Sequence, residues 1–299
     1  MYVVLGASGN TGRVVAKNLL ARQQKVRVVG RNSAHLQPLA VQGAETFVGD
    51  VTDPSALTKA FRNADSAYVM IPPNPTSNDP LAYAERVSDA IAAAVKSAGI
   101  KNIVSLSSIG ADKTDRTGPV IGLHNLEQKL NQLDTVNILH LRAGYFMENT
   151  LPQVRTIRTT GSLIGPLRPD LTLSMIATRD IGAAAADALL NLGFHGKQTR
   201  ELSGQRDLDY TQIATIIGKA IGKPNLGYVH APDDQVRSAM VQMGMSEKFV
   251  GLLLEMCASL NSGYMRALEP RTPRNTTPTS FETFVAESFV PAYQQQAAA

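Results

Sequence analysis

The 299-residue sequence has no tryptophan, a single cysteine and no lysine- or arginine-rich run. With Cys257 alone, an intramolecular disulfide is excluded, and its apolar helical surroundings read it as a buried structural thiol. No apolar stretch is long enough to span a membrane. Met1 leads straight into an apolar run, which leaves no room for a signal peptide, so a cytoplasmic location is expected. The net charge of +4 is modest and the basic residues are scattered, which argues against direct nucleic-acid binding. No metal-ligand spacing occurs, and no Gly-x-Ser-x-Gly elbow follows a strand, so neither a metal site nor a serine hydrolase is expected.

What is present begins at the second residue. Tyr2-Val3-Val4-Leu5 is a short apolar, partly β-branched run that suits a strand. Gly6-Ala7-Ser8-Gly9-Asn10-Thr11-Gly12 follows, and Val14-Val15-Ala16-Lys17-Asn18-Leu19-Leu20 then has helical spacing. Strand, glycine turn and helix in that order make a dinucleotide-binding turn. Gly6 allows the tight turn, Gly9 lets backbone approach a pyrophosphate, and Gly12 lets the helix pack close to the strand. The helix start offers unpaired N–H groups to phosphate, and Ser8, Asn10 and Thr11 add polar groups beside it.

The next strand, Val26-Arg27-Val28-Val29-Gly30, is followed by Arg31 and by no acid. A carboxylate here suits the ribose of NAD, whereas a guanidinium suits a 2′-phosphate, so NADP(H) is expected over NAD(H). Asn32 and Ser33 either add hydrogen bonds to that phosphate or cap the helix that begins at Ala34. A third strand over 45–48 ends in Gly49-Asp50-Val51. Asp50 is there either to contact the adenine, with Val51 beside it, or simply to make the turn. A fourth strand over 66–71 ends with Ile71 at the rigid loop Pro72-Pro73-Asn74-Pro75, expected to lie over the cofactor.

A helix over 81–97, a strand over 102–107, a helix over 123–133 and a strand over 136–141 continue the alternation. The fold class is therefore α/β: a Rossmann-type doubly wound parallel sheet in 1–150, joined by a returning segment near 172–203. Most of 151–299 is expected to form a smaller C-terminal α+β lobe for substrate or partner. There Met240, Met243 and Met245 are read as packing residues, and the tail 294–299 as disordered.

Several of these features together resemble the NmrA-like branch of the atypical short-chain dehydrogenases/reductases, over nearly the whole chain. The carriers are Gly6-x-x-Gly9-x-x-Gly12, Arg31, Gly49-Asp50, Ser107-Ser108, the run Leu141-Arg142-Ala143-Gly144-Tyr145-Phe146-Met147-Glu148-Asn149, and Arg179-Asp180-Ile181-Gly182. The resemblance implies an NADP(H) site between a Rossmann domain and a small lobe. It also implies one of two activities: NADPH-dependent quinone reduction, or redox sensing through a protein partner. The wider superfamily uses a Tyr-x-x-x-Lys pair after the fifth strand. Registered on Glu127, those positions fall here on Val120 and His124.

Without the tyrosine, a simple ketone is a poor substrate, because its alkoxide needs an acid. A quinone yields a stable phenolate that takes its proton later from water. The expected reaction is hydride transfer from NADPH to a quinone-like electrophile, with no flavin and no metal. The expected catalytic residues are Ser107, at the superfamily's serine position, and His124, which holds a ribose hydroxyl or relays a proton. Pro72, Pro73 and Ser107 are expected to shape the nicotinamide pocket. Tyr145 and Phe146 either stack on the nicotinamide or a flat substrate, or pack as wall between the lobes. Glu148 and Asn149 are read as fixing their loop. The partners expected are a small electrophile and, in the alternative reading, a regulatory protein; a homodimer is left open.

Overall fold

The computed structural model describes residues 1–295. Its first half alternates strictly: β1 (Tyr2–Val4), α1 (Asn10–Ala21), β2 (Val26–Gly30), α2 (Ser33–Ala40), β3 (Glu45–Val48), α3 (Pro54–Phe61), β4 (Ser66–Val69), α4 (Pro80–Ala98), β5 (Asn102–Ser108), α5 (Val120–Asn131) and β6 (Asn137–Ala143). The chain then makes β7 (Tyr145–Phe146), α6 (Gln153–Thr160), β8 (Leu163–Gly165), β9 (Leu173–Ile176), α7 (Thr178–Asn191) and β10 (Lys197–Leu202). It closes with β11 (Asp207–Leu208), α8 (Tyr210–Ala220), β12 (Tyr228–His230), α9 (Asp233–Gln242), α10 (Glu247–Asn261), α11 (Phe281–Phe284) and α12 (Val290–Gln295).

Seven strands form one parallel sheet in the order β10-β6-β5-β4-β1-β2-β3. Strand order reverses between β1 and β4, and this opens a crevice at the C-terminal edge of the sheet, where such folds bind ligands. One face is covered by α1, α2 and α7, through Val15, Leu19, Leu36, Ile181 and Leu189. The other is covered by α3, α4 and α5, through Phe61, Val87, Ile91, Leu126 and Leu130. Strands covered on both faces need continuous apolar runs, and β5 is buried from Ile103 to Ser107. The rest of the chain packs around two smaller sheets, β11-β9-β7 and β12-β8, over its own core of Met147, Leu173, Ile213 and Phe281.

Helix starts follow local chemistry. Asp53 Oδ1 accepts from the N–H groups of Ser55 and Ala56 at 2.8 and 3.2 Å, and Asp79 caps α4 ahead of Pro80. Helix α5 begins three residues earlier than its apolar pattern suggests. Its start carries no capping side chain: Gly118 turns the chain with φ of +56° and Pro119 leads into the helix. Strand β6 runs two residues further than expected, to Ala143, because it pairs with β5 and β10 on both sides. Strand β4 stops at Val69, and Met70 to Asn74 leave the sheet to wall a cavity.

Met243 is half exposed, whereas Met240 and Met245 pack against the α9–α10 core. Of the tail expected to be disordered, Gln294 and Gln295 close α12, and 296–299 lie outside the described residues. Among the described residues no helix is long and apolar enough to cross a membrane, and no cluster of metal-ligating side chains occurs.

Candidate functional site

The glycine turn has the geometry of an anion cradle. Gly6 adopts φ of +62°, and the Gly9 N–H donates to its carbonyl at 2.9 Å. A Cβ on Gly12 would stand 2.5 Å from the Gly6 carbonyl oxygen, so only glycine lets α1 start this close to β1. No side chain caps α1, which leaves its first N–H groups facing the crevice. Thr11 is buried, and its Oγ1 accepts from the Tyr68 hydroxyl at 2.9 Å. The same helix is pressed from behind, since a Cβ on Gly182 of α7 would lie 2.8 Å from the Thr11 carbonyl oxygen.

Beside this turn lies a cavity of about 460 Å³ lined by Ser8, Arg13, Lys17 and His35, which makes it basic. Arg13 donates to the Ser8 carbonyl at 2.7 Å, so it is fixed on the turn. Arg31 is exposed at the end of β2, without a hydrogen bond or ion pair to any described residue. Asn32 serves as a helix cap, accepting from the Ala34 N–H at 2.9 Å. Asp50 accepts from both the N–H and the hydroxyl of Thr52 at 2.8 Å. That backbone bond holds its carboxyl below the usual carboxylate range, and the nearby Arg31 charge acts in the same direction. Val51 is buried in the core cluster with Leu5 and Leu57.

At the other end of the crevice is an apolar cavity of about 370 Å³. Its floor comes from Met70, Ile71, Pro72 and Pro73 after β4, and from Ser107 and Ser108 at the end of β5. Tyr145 and Phe146 form one wall, Val120 and Leu123 of α5 another, and Phe249, Leu253 and Met256 of α10 the roof. Roof and floor are tied together: the Ser246 N–H, at the start of α10, donates to the Pro75 carbonyl at 2.9 Å, and its hydroxyl donates to the Ser77 carbonyl. Thus Ile71, Pro72, Pro73, Ser107, Tyr145 and Phe146 meet at one cavity, with the glycine turn further along the same sheet edge.

His124 does not line this cavity. It lies one turn beyond Val120, half-buried, and its Nδ1 donates to the Ala111 carbonyl at 2.9 Å. Val120 brings only methyl groups to the position where the resemblance places a tyrosine. Ser107 belongs to a buried network: its hydroxyl donates to Glu127 Oε1 at 2.6 Å. Glu127 accepts in turn from Arg142 Nε at 3.0 Å and Nη2 at 2.6 Å. Burial opposes the Arg142 charge, but the Glu127 carboxylate outweighs it and raises the guanidinium pKa. His140 lies close by on β6, with Nε2 on Asn131 at 3.0 Å and no partner for Nδ1 among the described residues. Burial pushes its pKa down to about 4, so the ring is neutral.

The Tyr145 hydroxyl meets that of Tyr210 at 3.3 Å, and the Tyr210 ring stacks on Tyr228 with centroids 4.4 Å apart. Burial raises the Tyr145 pKa well above its ordinary value. Glu148 accepts from the Thr178 N–H at 3.0 Å and from its hydroxyl, which fixes the loop after β7 to the start of α7. In the Arg179-Asp180-Ile181-Gly182 signature, Asp180 is buried and accepts from the N–H and hydroxyl of Thr279 at 3.0 and 2.7 Å. Arg179 bonds Thr279 and Glu287, and Gly182 seats α7 on α1.

Sequence reasoning missed the α10 roof, the basic cavity residues Arg13, Lys17 and His35, and Glu127 with Arg142 as a pair. A charged residue at the inner end of an apolar strand, as Arg142 is, signals a buried partner, but nothing local names Glu127.

Fold and crevice together define a Rossmann-type α/β protein with a smaller lobe over the sheet edge. The chain belongs to the NmrA-like family, whose model matches residues 2–284. It is 28% identical over 278 residues to the NAD(P)H azoreductase of Xenophilus azovorans, covering 92% of this chain and 93% of that one. It is 27% identical over 241 residues to the (4-alkanoyl-5-oxo-2,5-dihydrofuran-3-yl)methyl phosphate reductase of Streptomyces griseus, covering 81% and 80%. In fold it matches the NADPH-dependent quinone oxidoreductase of Escherichia coli solved with NADPH. That match has a TM-score of 0.81 and 24% identity, covering 97% of this chain and all of the other.

Proposed function

We infer that this protein is an NADPH-dependent reductase of a flat, conjugated acceptor, a quinone or an azo compound. The observation that carries the reading is the apolar cavity at the sheet's switch point, in line with a glycine turn whose helix start is uncapped. The turn fits a pyrophosphate, since Gly9 leaves its backbone bare and the first N–H groups of α1 have no capping side chain. Arg31, with Arg13 and His35 near the same edge, suits a 2′-phosphate.

NADPH, when bound, supplies the hydride, and the acceptor gains an electron pair and a negative charge. The residues around the cavity orient and exclude water: Pro72 and Pro73 form a rigid floor, and Phe146 and Phe249 offer flat apolar surface. No side chain at the cavity is arranged as a strong acid. The Tyr145 hydroxyl holds its proton more tightly than usual, and the Ser107 proton is directed to Glu127. Such a site favours acceptors whose reduced anion is stable, and water provides the final proton. The named azoreductase and reductase relatives support the same class of chemistry.

The test is a titration of the purified protein with NADPH, followed by nicotinamide fluorescence, with 1,4-benzoquinone then added. Saturable binding and catalytic loss of NADPH are expected. Binding with no turnover across several quinones and azo compounds would overturn the reductase reading in favour of a nucleotide sensor acting through a protein partner.

A further inference from the structure

A hydroxyl has one proton and two lone pairs, so the direction of its proton decides what it can bind. Ser107 lies at the end of β5, with its Oγ 2.6 Å from Glu127 Oε1. A carboxylate only accepts, so the serine proton points away from the cavity, into α5. Arg142 donates to both carboxylate oxygens, Nε to Oε1 at 3.0 Å and Nη2 to Oε2 at 2.6 Å, and fixes the group in place. Glu127 is 2% exposed, so water does not compete for the proton. Only lone pairs are left to Ser107 on the side that lines the cavity. Its neighbour behaves alike: Ser108 also lines the cavity, and its hydroxyl donates to the Ile109 carbonyl at 3.0 Å.

We propose that Glu127 is a positioning residue that makes Ser107 a hydrogen-bond acceptor, so the ligand group docked at the end of β5 is an O–H or N–H donor. The chemical class is a phenol, hydroquinone or aromatic amine, or an acceptor that carries such a group beside its conjugated system. A bare carbonyl, such as that of a simple quinone, gains no hydrogen bond at this wall and places its oxygens elsewhere in the cavity. This rests on reading the cavity as the acceptor site. It adds that this wall recognises the hydroxylated or reduced form and gives up no proton of its own.

The test uses two redox-inert probes, 2-naphthol and 2-methoxynaphthalene, with binding to the full-length protein measured by calorimetry in the presence of NADP+. The naphthol O–H donates, and its methyl ether cannot. The wild type is expected to bind the naphthol about tenfold more tightly, the usual worth of one buried hydrogen bond. Ser107→Ala removes the acceptor, and the two probes should then bind within about twofold of each other. Glu127→Gln leaves one acceptor oxygen for the three donors that Ser107 and Arg142 now direct at two, loosens the hold on the serine proton, and should narrow the gap.

A gap that persists in Ser107→Ala overturns the proposal, as does equal binding of both probes, or binding of neither, by the wild type. Should Glu127→Gln fail to fold, Ser107→Ala decides alone. Because binding of inert probes is read, the measurement decides the role of Ser107 even if the protein proves unable to reduce quinones.

Discussion

The two ends of the crevice are built in different ways. At the nucleotide end every element of the cradle comes from seven consecutive residues, Gly6 to Gly12, and its shape depends on missing side chains. At the acceptor end the cavity draws on β4, β5, α5, β7 and α10, and the Ser246–Ser77 tie between its roof and floor spans 169 positions. Its polar wall rests on a charge pair that joins α5 to β6. Local backbone geometry sets the first end, and tertiary packing sets the second. A mutation at the first should therefore act steeply and singly, and one at the second through partners.

The steepest contrast is expected from Gly12→Val, whose Cβ would lie 2.5 Å from the Gly6 carbonyl oxygen. NADPH affinity should fall about a hundredfold or more, measured by fluorescence titration, while far-UV circular dichroism shows the sheet retained.

At the acceptor end, acid should reveal the buried network. The His140 pKa is pushed down to about 4 in the folded chain from its ordinary 6.5, so between these values the unfolded chain binds the extra proton. Stability is full above about pH 6.5 and is lost as the pH falls towards 4, by up to about 3 kcal/mol. Urea unfolding from pH 7.5 to 4.5 should show this slope, and His140→Asn should flatten it.

Gly182→Val tests whether α7 acts on the nucleotide end through packing. Its Cβ would meet Val14 Cβ at 2.6 Å, and a stability loss of about 2 kcal/mol is expected from overpacking between α1 and α7. Arg31→Ala should weaken NADPH binding about tenfold and leave NADH binding unchanged, the usual worth of one phosphate contact. The smallest effect belongs to His124→Ala. With the ring on the Ala111 carbonyl and off the cavity, kcat should change by less than about twofold. A larger fall would return His124 to the catalytic role that its register suggests.

The same contrast explains what could be read ahead of the structure. The parallel sheet was legible because β1 to β5 each carry a short run suited to a strand followed by a helix, some with local punctuation such as Asp53-Pro54. The glycine turn was legible because its physics is confined to seven residues. The start of α5 was not, since Gly118 and Pro119 open it without a capping side chain. Nor was the direction of the Ser107 proton, which depends on Glu127, 20 positions away, and on Arg142, a further 15. His124 shares a face of α5 with Val120 but lies one turn further on, where its ring bonds the Ala111 carbonyl instead of entering the cavity. Register places the residue but not its rotamer.

Helix α7 joins both stories. One turn of it holds Thr279 through Asp180, and the next seats Gly182 on the helix that carries the nucleotide cradle. Residues near the end of the chain are therefore mechanically in series with residues at its beginning. The glycine turn precedes α7 by about 170 positions, and α7, seated on the sheet by Ile181 and Leu189, also takes Thr279 through Asp180. A fragment ending at residue 150 would lack α7 and β10, leaving Leu139, Leu141 and Leu19 bare to water and other chains. The fragment 1–150 is therefore expected to aggregate rather than act as a minimal nucleotide-binding module, a result that size-exclusion chromatography of the fragment would check.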